Sequence, residues 1–108
     1  MPQPMFKNTG QGTAELSGDL TLHTVAALAS EGDADIQNVV QNAGTTWQLD
    51  LQHVGRFSSA GVALLLGWLR LCTTGNITMS VVNVPTDMRG ILSICDLDSV
   101  FEPVITDA

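Results

Sequence analysis

The chain contains no tyrosine, two tryptophans and three phenylalanines, and it sets four basic residues against eleven acidic ones in 108 residues. The cations Lys7, Arg56, Arg70 and Arg89 are spread along the sequence, so they cannot make the basic patch that nucleic acid requires. With a net charge of −7, direct binding to anionic lipid heads is disfavoured for the same reason. Long apolar runs are also missing. The longest, 61–69, stops at Arg70, whereas a membrane span needs roughly 20 residues, so no direct membrane insertion is expected. The opening Met-Pro-Gln-Pro-Met-Phe-Lys has neither the basic region nor the apolar stretch of a signal peptide, which points to the cytoplasm. Cysteine is scarce: Cys72 and Cys95 show no metal-ligand spacing and read as small buried thiols within helices, in a reducing compartment.

Hydrophobic residues make up 44% of the chain and charged ones 14%, a balance that folds. Length, with no repeats and no interior linker, predicts one domain over 5–104, with 1–4 and 105–108 loose. A tight turn at Gly10-Gln11-Gly12 joins a short strand at 5–8 to a second at 13–18. Apolar and polar residues alternate in that second strand, at Trp47–Gln52, and again at Ile77–Val82. Strands covered on both faces read as continuous apolar runs, so alternation predicts helices on one face and water on the other. Leu16, Leu49, Leu51, Met79, Leu65 and Leu69 are expected to be buried, and Glu15, Gln48, Gln52 and Thr78 accessible.

Two helical segments lie between strands, and a third follows the last strand. The first begins near Thr21–Thr24, and its centre, Ser30 to Asp35, is poor helix material that is expected to break it in two. The second runs from Ser59 to Thr74 and stops before Gly75-Asn76. The third opens at Pro85-Thr86-Asp87 and runs to about Leu97, with Met88, Ile91, Leu92 and Cys95 at amphipathic spacing. The order β-β-α-β-α-β-α is that of a small α/β domain.

The second helix is the most informative element. Val62, Leu65, Leu66, Leu69 and Cys72 form the face assigned to the core. The opposite face, Ala60, Ala63, Leu64, Gly67, Leu71 and Thr74 flanked by Trp68 and Arg70, should be polar in an isolated domain but is small and oily. Either the third helix covers it, or it is a docking surface for a partner protein. The serines at its start fit both a structural and a functional role. Ser59 either caps the helix or offers its hydroxyl as a phosphoacceptor or partner contact, where the helix dipole favours negative charge.

Little remains from which to build an enzyme. His23 and His53 have no sequence partner and read as solvent-facing, and Asp33 and Asp35 read as a solvated turn rather than a metal site. There is no phosphate loop and no nucleophile elbow, so neither catalytic residues nor a cofactor are expected.

Taken together, these residues resemble the STAS domain, the fold of bacterial anti-sigma-factor antagonists and of the small STAS subunit of phospholipid-trafficking ABC transporters. The resemblance is carried by Leu16-Ser17-Gly18-Asp19-Leu20, Leu49-Asp50-Leu51, Phe57-Ser58-Ser59-Ala60-Gly61, Val84-Pro85, and Leu92, Cys95 and Leu97. It implies a four- to five-stranded mixed sheet with helices mainly on one face. The antagonists carry Asp-Ser-Ser-Gly at this helix, and a kinase phosphorylates the serine after the aspartate. Ser59 matches that serine, while Ser58 stands in place of the aspartate. The run Ala60 to Arg70, apolar and containing Trp68, looks more like the transporter (MlaB-type) subunit. That branch implies a cytoplasmic, non-catalytic subunit, peripheral at the inner membrane. It binds the transporter's ATPase through Ser58, Ser59, Ala60, Ala63, Leu64, Gly67, Trp68 and Leu71, in a complex maintaining outer-membrane lipid asymmetry. The other branch implies an anti-sigma kinase as partner and Ser59 as its phosphoacceptor.

Overall fold

Alternating side chains build the sheet. In a computed structural model describing residues 4–106, β1 (Met5–Gly10), β2 (Thr13–Leu20), β3 (Thr46–Phe57) and β4 (Thr78–Val82) lie side by side in chain order. The hairpin β1–β2 is antiparallel, and β2, β3 and β4 run parallel. The helices α1 (Val25–Gln41), α2 (Ser59–Thr74), α3 (Thr86–Ile94) and α4 (Asp98–Phe101) complete the domain. Residues 1–3 of the expected loose amino-terminus, and 107–108 of the carboxy-terminal one, lie outside the described residues.

One face of the sheet carries the core. Ala14, Leu16, Trp47, Leu49, Leu51, Met79 and Val81 are buried against Leu28 and Ile36 of α1, Val62 and Leu65 of α2, Met88 and Leu92 of α3, and Phe101 of α4. Gln48, Gln52 and Thr78 on the other face are exposed, as the alternation predicts. Glu15 is half-buried instead of accessible, because β2 is central and places it between Lys7 and Asp50 on its neighbours. Phe6, Trp47 and Trp68 gather three of the five aromatic rings into one cluster. The two indoles meet edge to face at 5.5 Å, a favoured geometry that adds to their burial.

Several expectations require correction. β3 runs on through residues 53–56, past the alternation at Trp47–Gln52, because two register shifts against β2 absorb the extra residues without ending the ladder. α1 is one unbroken helix of 17 residues despite Gly32, since packing overrides its low local propensity. Asp33 and Asp35 therefore stand on a helix rather than in a turn, and Asp35 accepts hydrogen bonds from Asn8 Nδ2 and Trp47 Nε1. The third helical segment ends at Ile94, and Cys95 beyond it is exposed rather than buried. Residues 105 and 106, expected to be loose, are tied to β4: Val81 N–H donates to Val104 O at 2.9 Å, and Thr106 N–H donates to Val81 O at 2.8 Å.

Three helices end on the same device. The residues after their C-caps, Ala43, Asn76 and Asp96, take positive φ near 58°. The next amides, of Gly44, Ile77 and Leu97, each reach back 2.8 Å to Val39, Cys72 and Leu92 carbonyls, closing otherwise orphaned acceptors.

Candidate functional site

Because β2, β3 and β4 are parallel, the loops following them converge at one end of the sheet, where α/β proteins commonly place their functional groups. Leu20 and Phe57, the last residues of β2 and β3, are register partners, and Ser58 follows directly. Its hydroxyl donates to Leu20 O at 2.9 Å and accepts from Ala60 N–H at 3.2 Å. Its carbonyl accepts from Gly61 N–H at 2.9 Å and Val62 N–H at 3.3 Å. Ser58 is therefore the helix cap, and it also fastens β2 to the start of α2.

Of the two roles open to Ser59 in the sequence, the cap is excluded: Ser59 is the first helical residue. Its side chain is exposed and makes no hydrogen bond among the described residues. The second serine's hydroxyl is thus available because the first has taken the structural task. Beside it, Asp19 Oδ1 accepts from Arg56 N–H at 2.8 Å, and Thr24 Oγ1 accepts from Thr21 N–H at 2.9 Å. This bracing presents Leu22, 77% exposed, and the exposed His23 at the same end. Sequence reasoning missed Leu22. An apolar residue between two threonines in a turn gives no periodic signal, and its exposure follows only from the loop's fold.

α2 is rolled relative to the sequence reading. Ala63 and Gly67 are exposed, and Ala60 and Leu71 half-buried, so half of the expected docking face is open. Leu64 and Trp68 are not part of it: they are 7% and 1% exposed and belong to the core. The element covering them is α1, not the third helix. Trp68 packs on Gly32 and donates from Nε1 to Ala29 O at 3.3 Å. In compensation, Leu66 and Leu69, expected to face the core, are only half-buried. Ser59, Ala63 and Gly67, four residues apart, form an exposed stripe of small side chains. Its lower part opens into a groove of about 300 Å³ between α1 and α2, lined by Ala29, Asp33, Ala63, Leu64, Gly67, Trp68 and Leu71. A β carbon added at Gly67 would meet nothing within 4 Å.

A second cleft, of about 400 Å³, lies between the β1–β2 turn, α1 and the loop before β3, and is lined mainly by amides and hydroxyls. His23 and His53 are both exposed, as expected, and no cluster of metal-ligating side chains occurs among the described residues. No helix among them is long and apolar enough to cross a membrane. Burial pushes the Cys72 thiol up to about 11.

A mixed four-stranded sheet with helices on one face and a serine-capped central helix at the end of its parallel strands defines the anti-sigma-factor-antagonist class of fold. Two solved structures of SpoIIAA share it. The phosphorylated form of this Bacillus cell fate determinant is 22% identical, with a TM-score of 0.67 over 97% of this chain and 90% of that one. The unphosphorylated form of this anti-sigma factor antagonist gives the same identity and TM-score, over 97% and 88%. An anti-sigma factor antagonist from Mycobacterium paratuberculosis is 20% identical, with a TM-score of 0.64 over 90% and 80%. No curated protein matches the chain in sequence. The family model described as "Mlab, STAS domain" matches residues 6–106, and the chain belongs to that family.

Proposed function

We propose that this chain is a non-catalytic STAS subunit that binds, and regulates or stabilises, the cytoplasmic ATPase of an Mla-type phospholipid ABC transporter. It would sit peripherally at the inner membrane through that complex and serve outer-membrane lipid asymmetry. Family membership supports the reading. The observation that carries it is the open flank of α2, where the exposed Ser59, Ala63 and Gly67 leave the helix backbone approachable along two turns. Ser58, Ala60 and Leu71 border this flank; Leu64 and Trp68 support it from beneath.

Co-expression with the ATPase of an Mla-type transporter from the same organism tests this. The wild type should co-purify with the ATPase, and Gly67→Arg, which has room to fold, should not. Co-purification of Gly67→Arg at wild-type yield overturns the assignment of this flank, and failure of the wild type to bind overturns the reading.

A second reading, an antagonist regulated by phosphorylation and partnered by an anti-sigma kinase, is favoured by one observation. Ser59 presents an exposed hydroxyl at the start of α2, with no hydrogen bond among the described residues. Against it, the first amides of α2 that a phosphate would use are already taken by Ser58. Intact-mass measurement of the protein purified from its native host decides: a phosphate on Ser59 supports this second reading.

A further inference from the structure

We propose that the groove between α1 and α2 receives a helix of the partner protein, which brings an apolar side chain over Gly67 and a lysine or arginine to Asp33. This inference rests on the reading of α2 as a partner surface and adds the chemistry of what docks there.

The groove has an apolar floor, formed by the buried Leu64 and Trp68, and its width is set at Gly67, where the space for a side chain is empty. Ala29 and Asp33, one turn apart on α1, form the opposite wall. Among the lining residues Asp33 alone is charged. Its carboxylate is exposed and has no partner among the described residues, whereas both oxygens of nearby Asp35 are engaged by Asn8 and Trp47. The charge does not stand alone. α1 also carries Glu31 and contains no basic residue, so the field over this wall is negative along its middle. Arg70 lies on α2 outside the lining.

Charge also selects the occupant. A second copy docked about a two-fold axis would bring two acidic α1 helices together, in a chain of net charge −7. A helix with an apolar anchor and an adjacent cation fits both halves of the groove, the apolar floor and the acidic wall. Such a cation would approach Asp33 at the rim of the contact, where it sets orientation and association rate more than total affinity.

The test uses the complex with the ATPase of an Mla-type transporter from the same organism. Asp33→Lys should weaken binding at least tenfold at low salt, and the milder Asp33→Asn should weaken it less; wild-type melting of both variants confirms their fold. A photo-crosslinking residue at Ala63 should attach to a helical segment of the ATPase bearing Lys or Arg. Reversing that residue to Glu should restore binding to Asp33→Lys. If the complex forms but is insensitive to Asp33→Lys, or the crosslink falls on a segment without a cation, this inference is overturned and the functional reading stands. A dimer of the chain alone that Gly67→Arg dissolves overturns it in favour of a second copy. If the wild type binds no ATPase, the functional reading fails and this inference with it.

Discussion

Gly32 in α1 lies so close to the indole of Trp68 in α2 that a β carbon there would clash with the ring atoms Cε2, Cζ2 and Nε1. On helix propensity alone, Gly32→Ala in mid-helix should add about 1 kcal/mol of stability. The contact reverses the sign: overpacking of this kind costs typically 1–3 kcal/mol, and we expect Gly32→Ala to destabilise by about 2 kcal/mol. Urea unfolding measures it. Adding Trp68→Leu should recover part of the Gly32→Ala loss, since residues in one contact do not act additively.

The two serines should behave differently. Ser58→Ala removes the cap and the bond to Leu20, and should cost about 1–2 kcal/mol. Ser58→Asp should also destabilise: aspartate caps well but has no proton to donate to the Leu20 carbonyl. Ser59→Ala should stay within about 0.5 kcal/mol of wild type, as exposed substitutions usually do. Ser59→Asp should melt like the wild type, yet weaken the ATPase complex sharply if the hydroxyl lies in the contact. Thermal melts and co-purification of the four variants check each statement.

The two thiols should differ in reactivity. Cys95 is exposed and should be modified quickly by a thiol reagent at pH 8, while Cys72 should resist until the protein unfolds. Burial raises Cys72 from 9.0 to about 11, so the folded state holds its proton longer than the unfolded state does. The resulting stability is present below pH 9 and is lost as pH rises toward 11. Melting temperature over that interval should fall more steeply for the wild type than for Cys72→Ala.

Ala43→Gly should stabilise the domain by about 1 kcal/mol, because alanine is held at a positive φ where its β carbon is strained. Equilibrium unfolding of the single variant is sufficient; no gain would mean that the loop after α1 relaxes without strain.

How far the chain could be read from its residues depended on whether the deciding contact was local. Alternation in β2 and at Trp47–Gln52 placed the wet face, and Ser59–Thr74 was recognised with its true ends. Both features repeat at fixed spacing in the chain. Which flank of α2 is covered was not legible, because α1 covers it through Gly32, and an isolated glycine in a weak helical stretch reads as a break. Which serine caps was not legible for a similar reason: either residue can cap, and the choice is made by the Leu20 carbonyl, 38 positions away in sequence. Cys95 continued the amphipathic spacing of α3, but Asp96 turns the chain one residue later.

The strands stand in space in the order in which they occur in the chain. A ribosome therefore delivers each parallel strand to an edge already built, and no strand has to be inserted between two earlier ones. The edge left last is that of β4, which stays unpaired until residues 104–106 emerge and pair with Val81. Until then the growing chain displays an open row of backbone donors and acceptors, the kind of template on which neighbouring nascent chains aggregate. Two hydrogen bonds through Val81 thus cover the middle of that edge and blunt it as a template once residues 104–106 are in place.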